Sequence, residues 1–252
     1  AIVRPRATVI PAGEPPDAKL TMPALDQTSG SNIYGGVTIT HTGEAITMTE
    51  TDVSLREVSL EPKEMTAYII VTDKLLNNWA ALSTFITAQL RKAMFGAEDY
   101  DFMRGDGINK ALGFINAGAT IVQTRAVAGA IDFVDIIGMF AKAKAGGNYV
   151  WIASQTTIPE LVTITDAGTH AIWVGGGNLQ NGIAGPMPPS LMGFPVLFAD
   201  RLPALATKGD LNLVDLSYYL IKDGSGPFVA LSDQLLFLSN RTVFKRDVQW
   251  FD

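Results

Sequence analysis

Between Ser83 and Gly107, apolar residues recur at three- and four-residue spacing: Phe85, Ile86, Leu90, Ala93, Met94 and Ala97. That period predicts a helix with one apolar face. Gln89, Arg91, Lys92, Glu98, Asp99 and Asp101 sit mostly on the other side. Ser83 and Thr84 are good N-caps, because a side-chain oxygen takes up an orphan amide of the first turn. Gly105 and Gly107 supply the left-handed conformation that ends a helix. Such a helix is about 33 Å long, the span of a small domain.

The chain before it changes period. Val37 and Ile39, Ile46 and Met48, Val53 and Leu55, and Val58 and Leu60 alternate with threonines and other polar residues. Period two predicts strands. His41 to Glu44 offers a turn, and Glu61-Pro62-Lys63 suits a bend or an edge strand. Residues 33–71 therefore read as a long, half-polar hairpin, which is not stable alone and needs a partner surface. Residues 1–32 carry Pro5, Pro11, Pro15, Pro16 and Pro23. Proline fixes φ and removes amide donors, which predicts an extended arm with little helix. Ile2, Val3, Val9 and Ile10 give that arm something to bury.

After the long helix, the pattern predicts a second helix over 131–145, closed by Gly146-Gly147. A short buried strand follows over 149–153. A third helix is expected over 156–165, with Pro159 in its first turn, where proline is tolerated. Residues 166–189 form a glycine-rich loop. Strands are expected over 196–199 and 211–221, and residues 228–252 read as strands returning beside the long helix. Strands mixed with crossover helices define an α+β class. No composition break marks a linker, so two subdomains would be interleaved rather than sequential.

Composition narrows the function. Charged residues make up 17% of the chain and hydrophobic residues 47%. So little charge predicts that other subunits cover part of the apolar surface. A net charge of −6 argues against a protein that grips nucleic acid by neutralising phosphates, though not against a shell that surrounds it. There are no cysteines, which excludes disulfides and thiolate metal sites. No apolar run approaches the roughly 20 residues of a membrane span, and no signal peptide or membrane partner is expected. His41 and His170 are too few for a metal site or a catalytic triad, and no cofactor is expected. Gly175-Gly176-Gly177 lacks the Lys-Ser/Thr of a phosphate loop. Glu98, Asp99 and Asp101 allow an enzymatic reading, with two of them as general acid and base. The structural reading pairs them with Arg91, Arg104 or a neighbour's basic residue, and it is preferred.

The order of features carries a resemblance. Glu57 to Leu60, Val71 to Leu76, Ala97 to Asp99, Phe102, Gly105-Asp106-Gly107 and Gly113 come first. Gly193-Phe194-Pro195-Val196, Pro203, Gly209-Asp210, Asp215 and Arg241 to Val248 follow. The chain resembles the major capsid proteins of tailed bacteriophages, the Hong-Kong-ninety-seven-type fold. It departs from the usual pattern at Ile108, where a small hydroxyl residue is common, and at Leu112, where a proline is common.

The resemblance implies an N-terminal arm (1–32), an extended β-hairpin loop (33–72), a peripheral domain built on the long helix (73–115 and 222–252) and an axial domain (116–221). It implies a non-enzymatic subunit that assembles in the host cytoplasm into hexamers and pentamers of an icosahedral virion shell. That shell would enclose double-stranded DNA without sequence-specific binding, with portal and decoration proteins as further partners. The expected intersubunit contacts are Ile2, Val3, Arg4 and Arg6 of the arm, Val53, Leu55 and Arg56 of the loop, and Trp173, Asn178 and Gln180 at a capsomer axis. The chain opens on Ala1; removal of an initiator methionine would give such a start, and the resemblance implies a mature form trimmed of a preceding segment. Some relatives weld subunits through a lysine–asparagine isopeptide bond. Lys63, the only lysine in the hairpin region, lies at its base, and that chemistry is not carried over. The alternatives are the shell of an encapsulin-like nanocompartment and a soluble acid/base hydrolase using Glu98 or Asp101.

Overall fold

A computed structural model describes residues 1–25, 37, 39, 41, 50–72, 82–165, 190–226, 228–232 and 241–251. The long helix, α1, runs Leu82–Arg104 over 23 residues, about 35 Å at 1.5 Å per residue. Its inward stripe is Leu82, Ile86, Leu90, Met94, Glu98 and Phe102, a strict stride of four. The expected apolar face is therefore corrected. Phe85 is half exposed, Ala93 and Ala97 face outward, and Glu98 points in. Leu82, Ile86 and Leu90 pack on Ala67 and Ile69. Those two residues lie on strand β4 (Pro62–Thr72), where Met65, Ala67 and Ile69 face inward between exposed Glu64, Thr66 and Tyr68. Along its whole length β4 pairs antiparallel with β11 (Arg241–Phe251), and β10 (Phe228–Ser232) pairs with the other edge of β11. The closing segment thus forms strands, as its pattern predicts, and they return to β4, the strand on which α1 packs.

The end of α1 shows how its orphan carbonyls are met. The Phe114 and Ile115 amides donate to the carbonyls of Phe102 and Met103 at 3.0 and 3.2 Å. The Asn116 side chain donates to those of Arg104 and Gly105 at 2.9 and 3.0 Å. The segment 111–116 therefore crosses the helix terminus backbone against backbone. Gly105 and Gly113 sit at the crossing, each without room for a Cβ. Of the two glycines predicted to end the helix, only Gly107 has positive φ; Gly105 is required by close approach.

Beyond the crossing lie α2 (Phe133–Ala141), β5 (Val150–Ser154), a 3-10 turn, α3 (Ile158–Thr163) and strands β6 (Ser190–Leu191), β7 (Phe194–Ala199) and β8 (Leu211–Val214). Asp132 and Asp135 form a capping box at the start of α2. β5 is central in the sheet ordered β6-β7-β5-β8, parallel to β7 and antiparallel to β8. Its alternation joins two cores. Val150 and Ile152 face one that contains Phe102, Met103, Ile115 and Leu216. Trp151 and Ala153 face the other, with Ile136, Leu161 and Leu211, beneath Phe133 and Met139 of α2. The expected strand over 211–221 is broken. Asp215 accepts from the Ser217 amide at 3.1 Å and the Asn148 amide at 2.9 Å, which turns the chain before β9 (Leu220–Lys222).

The arm is the largest departure. It contains two strands, β1 (Thr8–Ile10) and β2 (Leu20–Leu25). β1 pairs parallel with β9 of the same chain. β2 pairs antiparallel with β3 (Leu55–Leu60), from Leu20 opposite Leu60 to Leu25 opposite Leu55. Leu55–Leu60 therefore pairs with the arm as well as belonging to the expected loop. Among the described residues, no helix is long and apolar enough to cross a membrane.

Candidate assembly surfaces

The first four residues form an anchor on α1. Val3 is fully buried in the core with Phe102 and Met103, and Ile2 packs against it. The Ile2 and Val3 amides donate to the Asp99 carboxylate at 3.0 and 3.4 Å. Arg4 donates through Nη1 to Glu98 Oε1 at 3.1 Å and through Nη2 to Asp223 Oδ2 at 2.5 Å. Further along, the buried Lys222 ammonium donates to the carbonyls of Pro16 and Ala18 at 3.0 and 2.6 Å.

Within the chain these contacts occupy Val3 fully, while Ile2 and Arg4 stay partly exposed. The Arg4 guanidinium bridges two carboxylates of its own chain. These contacts correct the expected partners of the acidic cluster. Arg4 and the arm amides meet Glu98 and Asp99, while the Arg104 guanidinium lies 5.3 Å from the Tyr100 ring centroid. Arg6 remains on the surface, with Nη1 donating to the Ile2 carbonyl at 2.9 Å. Val3→Ala should lower subunit stability by about 1–3 kcal/mol, the scale of a buried aliphatic truncation. Urea unfolding measures it, and an unchanged midpoint would mean that the anchor is not packed as described.

Burial pushes the Glu98 carboxyl up to about 7; Arg4 opposes this, while Asp99 and Asp223 add to it. Burial also raises Asp101, with Lys110 opposing and Asp106 adding. Both carboxyls border a cavity of about 230 Å³ that Lys63, Glu64 and Lys110 also line. Among the described residues no group of three or more His, Asp or Glu side chains is arranged to hold a metal.

Two other surfaces are apolar and uncovered. At the outer end of the β2–β3 ribbon, Leu25 and Leu55 stand directly opposite each other, 45% and 63% exposed, with Val53 beside them at 44%. Arg56 is exposed on the same strand. On α2, Val134, Ile137 and Phe140 face outward while Ile136 faces in. A groove of about 600 Å³ lies near the other side of α2, bordered by Ile121, Val122, Met139, Tyr149 and Tyr218. Trp173, Asn178 and Gln180 lie outside the described residues, as do His170 and most of 37–49. Leu25 and the outer face of α2 were missed by pattern reading. The all-round apolarity of FVDIIGMFA was the available signal for α2; Leu25 becomes notable only once Leu55 is found across from it.

Structures similar to this one come from phages and related particles. The capsid of a native GTA particle is 18% identical, with a TM-score of 0.76 over 99% of this chain and 85% of that one. A chain from Microbacterium phage Oxtober96 is 14% identical, with a TM-score of 0.70 over 100% and 84%. One from Gordonia phage Cozz is 14% identical, with a TM-score of 0.67 over 99% and 81%. No curated protein matches the sequence. These likenesses define the α+β fold of phage capsid subunits. The family model for the phage capsid family matches residues 1–247, and the chain belongs to that family. Its role is structural, as a subunit of a capsid.

Proposed function

We propose that the chain builds an icosahedral phage head by assembling with copies of itself into hexamers and pentamers, and that the finished shell encloses double-stranded DNA. The observation that carries this reading is the β2–β3 ribbon. A two-stranded ribbon is marginal alone, and this one ends in an exposed pair of leucines. In a membership that spans the chain, such an end is explained by a second copy lying against it. On this reading α1 with β10 and β11 belongs to the peripheral domain, β3 and β4 belong to the extended loop, and the elements from α2 to β8 belong to the axial domain. The 166–189 loop would lie at the capsomer axis, where Trp173, Asn178 and Gln180 would meet their counterparts. The outer face of α2 would pack between neighbouring axial domains. Portal and decoration proteins would join the shell during assembly in the host cytoplasm, and the negative chain would surround the DNA without gripping it.

Sedimentation and negative-stain microscopy of the purified chain test the reading. Closed particles of megadalton size are expected. A small, monodisperse species at every concentration would overturn it. Particles recovered from infected cells with protein cargo in place of DNA would favour a nanocompartment shell instead.

A further inference from the structure

Three carboxylates fasten the start of the chain to the rest of it, and one of them is buried. Glu98 is 1% exposed. Its Oε1 accepts from Arg4, and its Oε2 is buried with no hydrogen-bond partner. Arg4 is shared with Asp223. The amides of Ile2 and Val3 are held by Asp99, whose carboxylate also lies 3.4 Å from the Ala1 amine. The other charged groups on this side are Asp101 of α1, Lys63 and Glu64 of β4, and Lys110. Lys63 is paired with Glu61 at 3.2 Å and Lys110 with Asp106 at 3.4 Å. Three carboxylates therefore gather around one guanidinium and the first backbone amides. A buried anion with an unbonded oxygen is costly, and neutralisation by a proton is the ordinary remedy.

We propose that docking of residues 1–10 onto α1 and β9 takes up one proton from solvent at the Glu98 carboxylate, so that the segment is a pH-sensitive clasp, tightest in mildly acidic solution. Arg4 keeps its charge throughout, and in the docked state it bridges Glu98 and Asp223. With the segment lifted, Glu98 meets water and titrates in the ordinary carboxylate range. Docked, it holds its proton up to about 7. The docked state thus binds more protons across that window. Docking weakens as pH rises through the window and levels off above it. One proton limits the slope to about tenfold per pH unit.

Amide hydrogen exchange on the purified full-length chain, corrected for intrinsic rates, reads this directly. Between about pH 5.5 and 7, protection of residues 2–10 should fall by roughly tenfold or more and then level off, while β5 stays unchanged. Glu98→Gln keeps the shape without the proton, and should hold the segment docked with no pH slope. A flat wild-type profile, or a slope that survives in Glu98→Gln, overturns the proposal. Should that variant not fold, carbon-13 NMR of the wild-type Glu98 carboxyl decides. A midpoint near 7 is expected, and one in the ordinary carboxylate range overturns the clasp.

Discussion

Gly105→Ala should cost the subunit more than about 4 kcal/mol, a loss in the exceptional class for single substitutions. A Cβ on Gly105 would fall 1.9 Å from the Ala111 carbonyl oxygen and 2.6 Å from that of Asp101. Both obstacles are backbone, so no side chain can swing aside. The chain across the helix end is equally tight, since a Cβ on Gly113 would lie 2.5 Å from the Arg104 nitrogen. Relief requires segment 111–116 to lift off α1. That move would strand the carbonyls of Phe102 and Met103 and open the core around Phe114 and Ile115. Removing even a few such hydrogen bonds costs about 1–3 kcal/mol for each buried group left unmet, in addition to the packing lost. Thermal unfolding should show a fall of roughly 8–16 °C. Gly118→Ala is the control, because nothing lies within 4 Å of its added carbon and its φ is not positive; it should melt within about 0.5 kcal/mol of wild type. Equal melting of Gly105→Ala and Gly118→Ala would show that the helix end is not crossed as described.

The same crossing shows what the sequence could and could not reveal. The extent of α1, the fully buried strand over 150–154, the helix with Pro159 in its first turn and the return of the closing strands were all legible from periodicity. Each is a local or semi-local pattern. The face of α1 was not legible in full, because hydrophobicity places Glu98 outside and Phe85 inside. Glu98 is buried through Arg4, 94 positions away in the chain, and no window on the helix contains that information. The intrachain course of the arm was not legible for a related reason. Its prolines correctly implied an extended chain, yet extension does not say which surface receives it. Lys222 and Asp99 receive it, and both read locally as ordinary surface charges. Asp215 breaks a pattern that hydropathy alone carries through to Ile221, because a carboxylate accepting the amide two residues on competes with strand pairing. As for the assembly surfaces, Val53 and Leu55 stood out through alternation without a companion element. The companion of the strand that Leu55 begins is β2, which the prolines had disguised.

Val53→Glu combined with Leu55→Glu should abolish particle formation while leaving the subunit folded. Val53 and Leu55 are 44% and 63% exposed in the single chain, so their replacement removes little intrachain packing. Subunit unfolding should stay within about 0.5 kcal/mol of wild type, the usual range for surface changes. Against a second copy the balance is different. Two carboxylates buried there without partners would meet a desolvation penalty of several kcal/mol. In a shell that penalty recurs at every copy of the contact. Each 1.4 kcal/mol lost per contact weakens that contact about tenfold, so assembly at ordinary protein concentrations should fail outright. Leu55→Met preserves apolar volume and should still assemble. Sedimentation velocity distinguishes the cases. The double variant should run as a small, folded species, and Leu55→Met should run as closed particles. Normal particles from the double variant would remove the ribbon tip from the interface. An unfolded double variant, shown by lost helical circular dichroism, would mean instead that these side chains are needed within their own subunit.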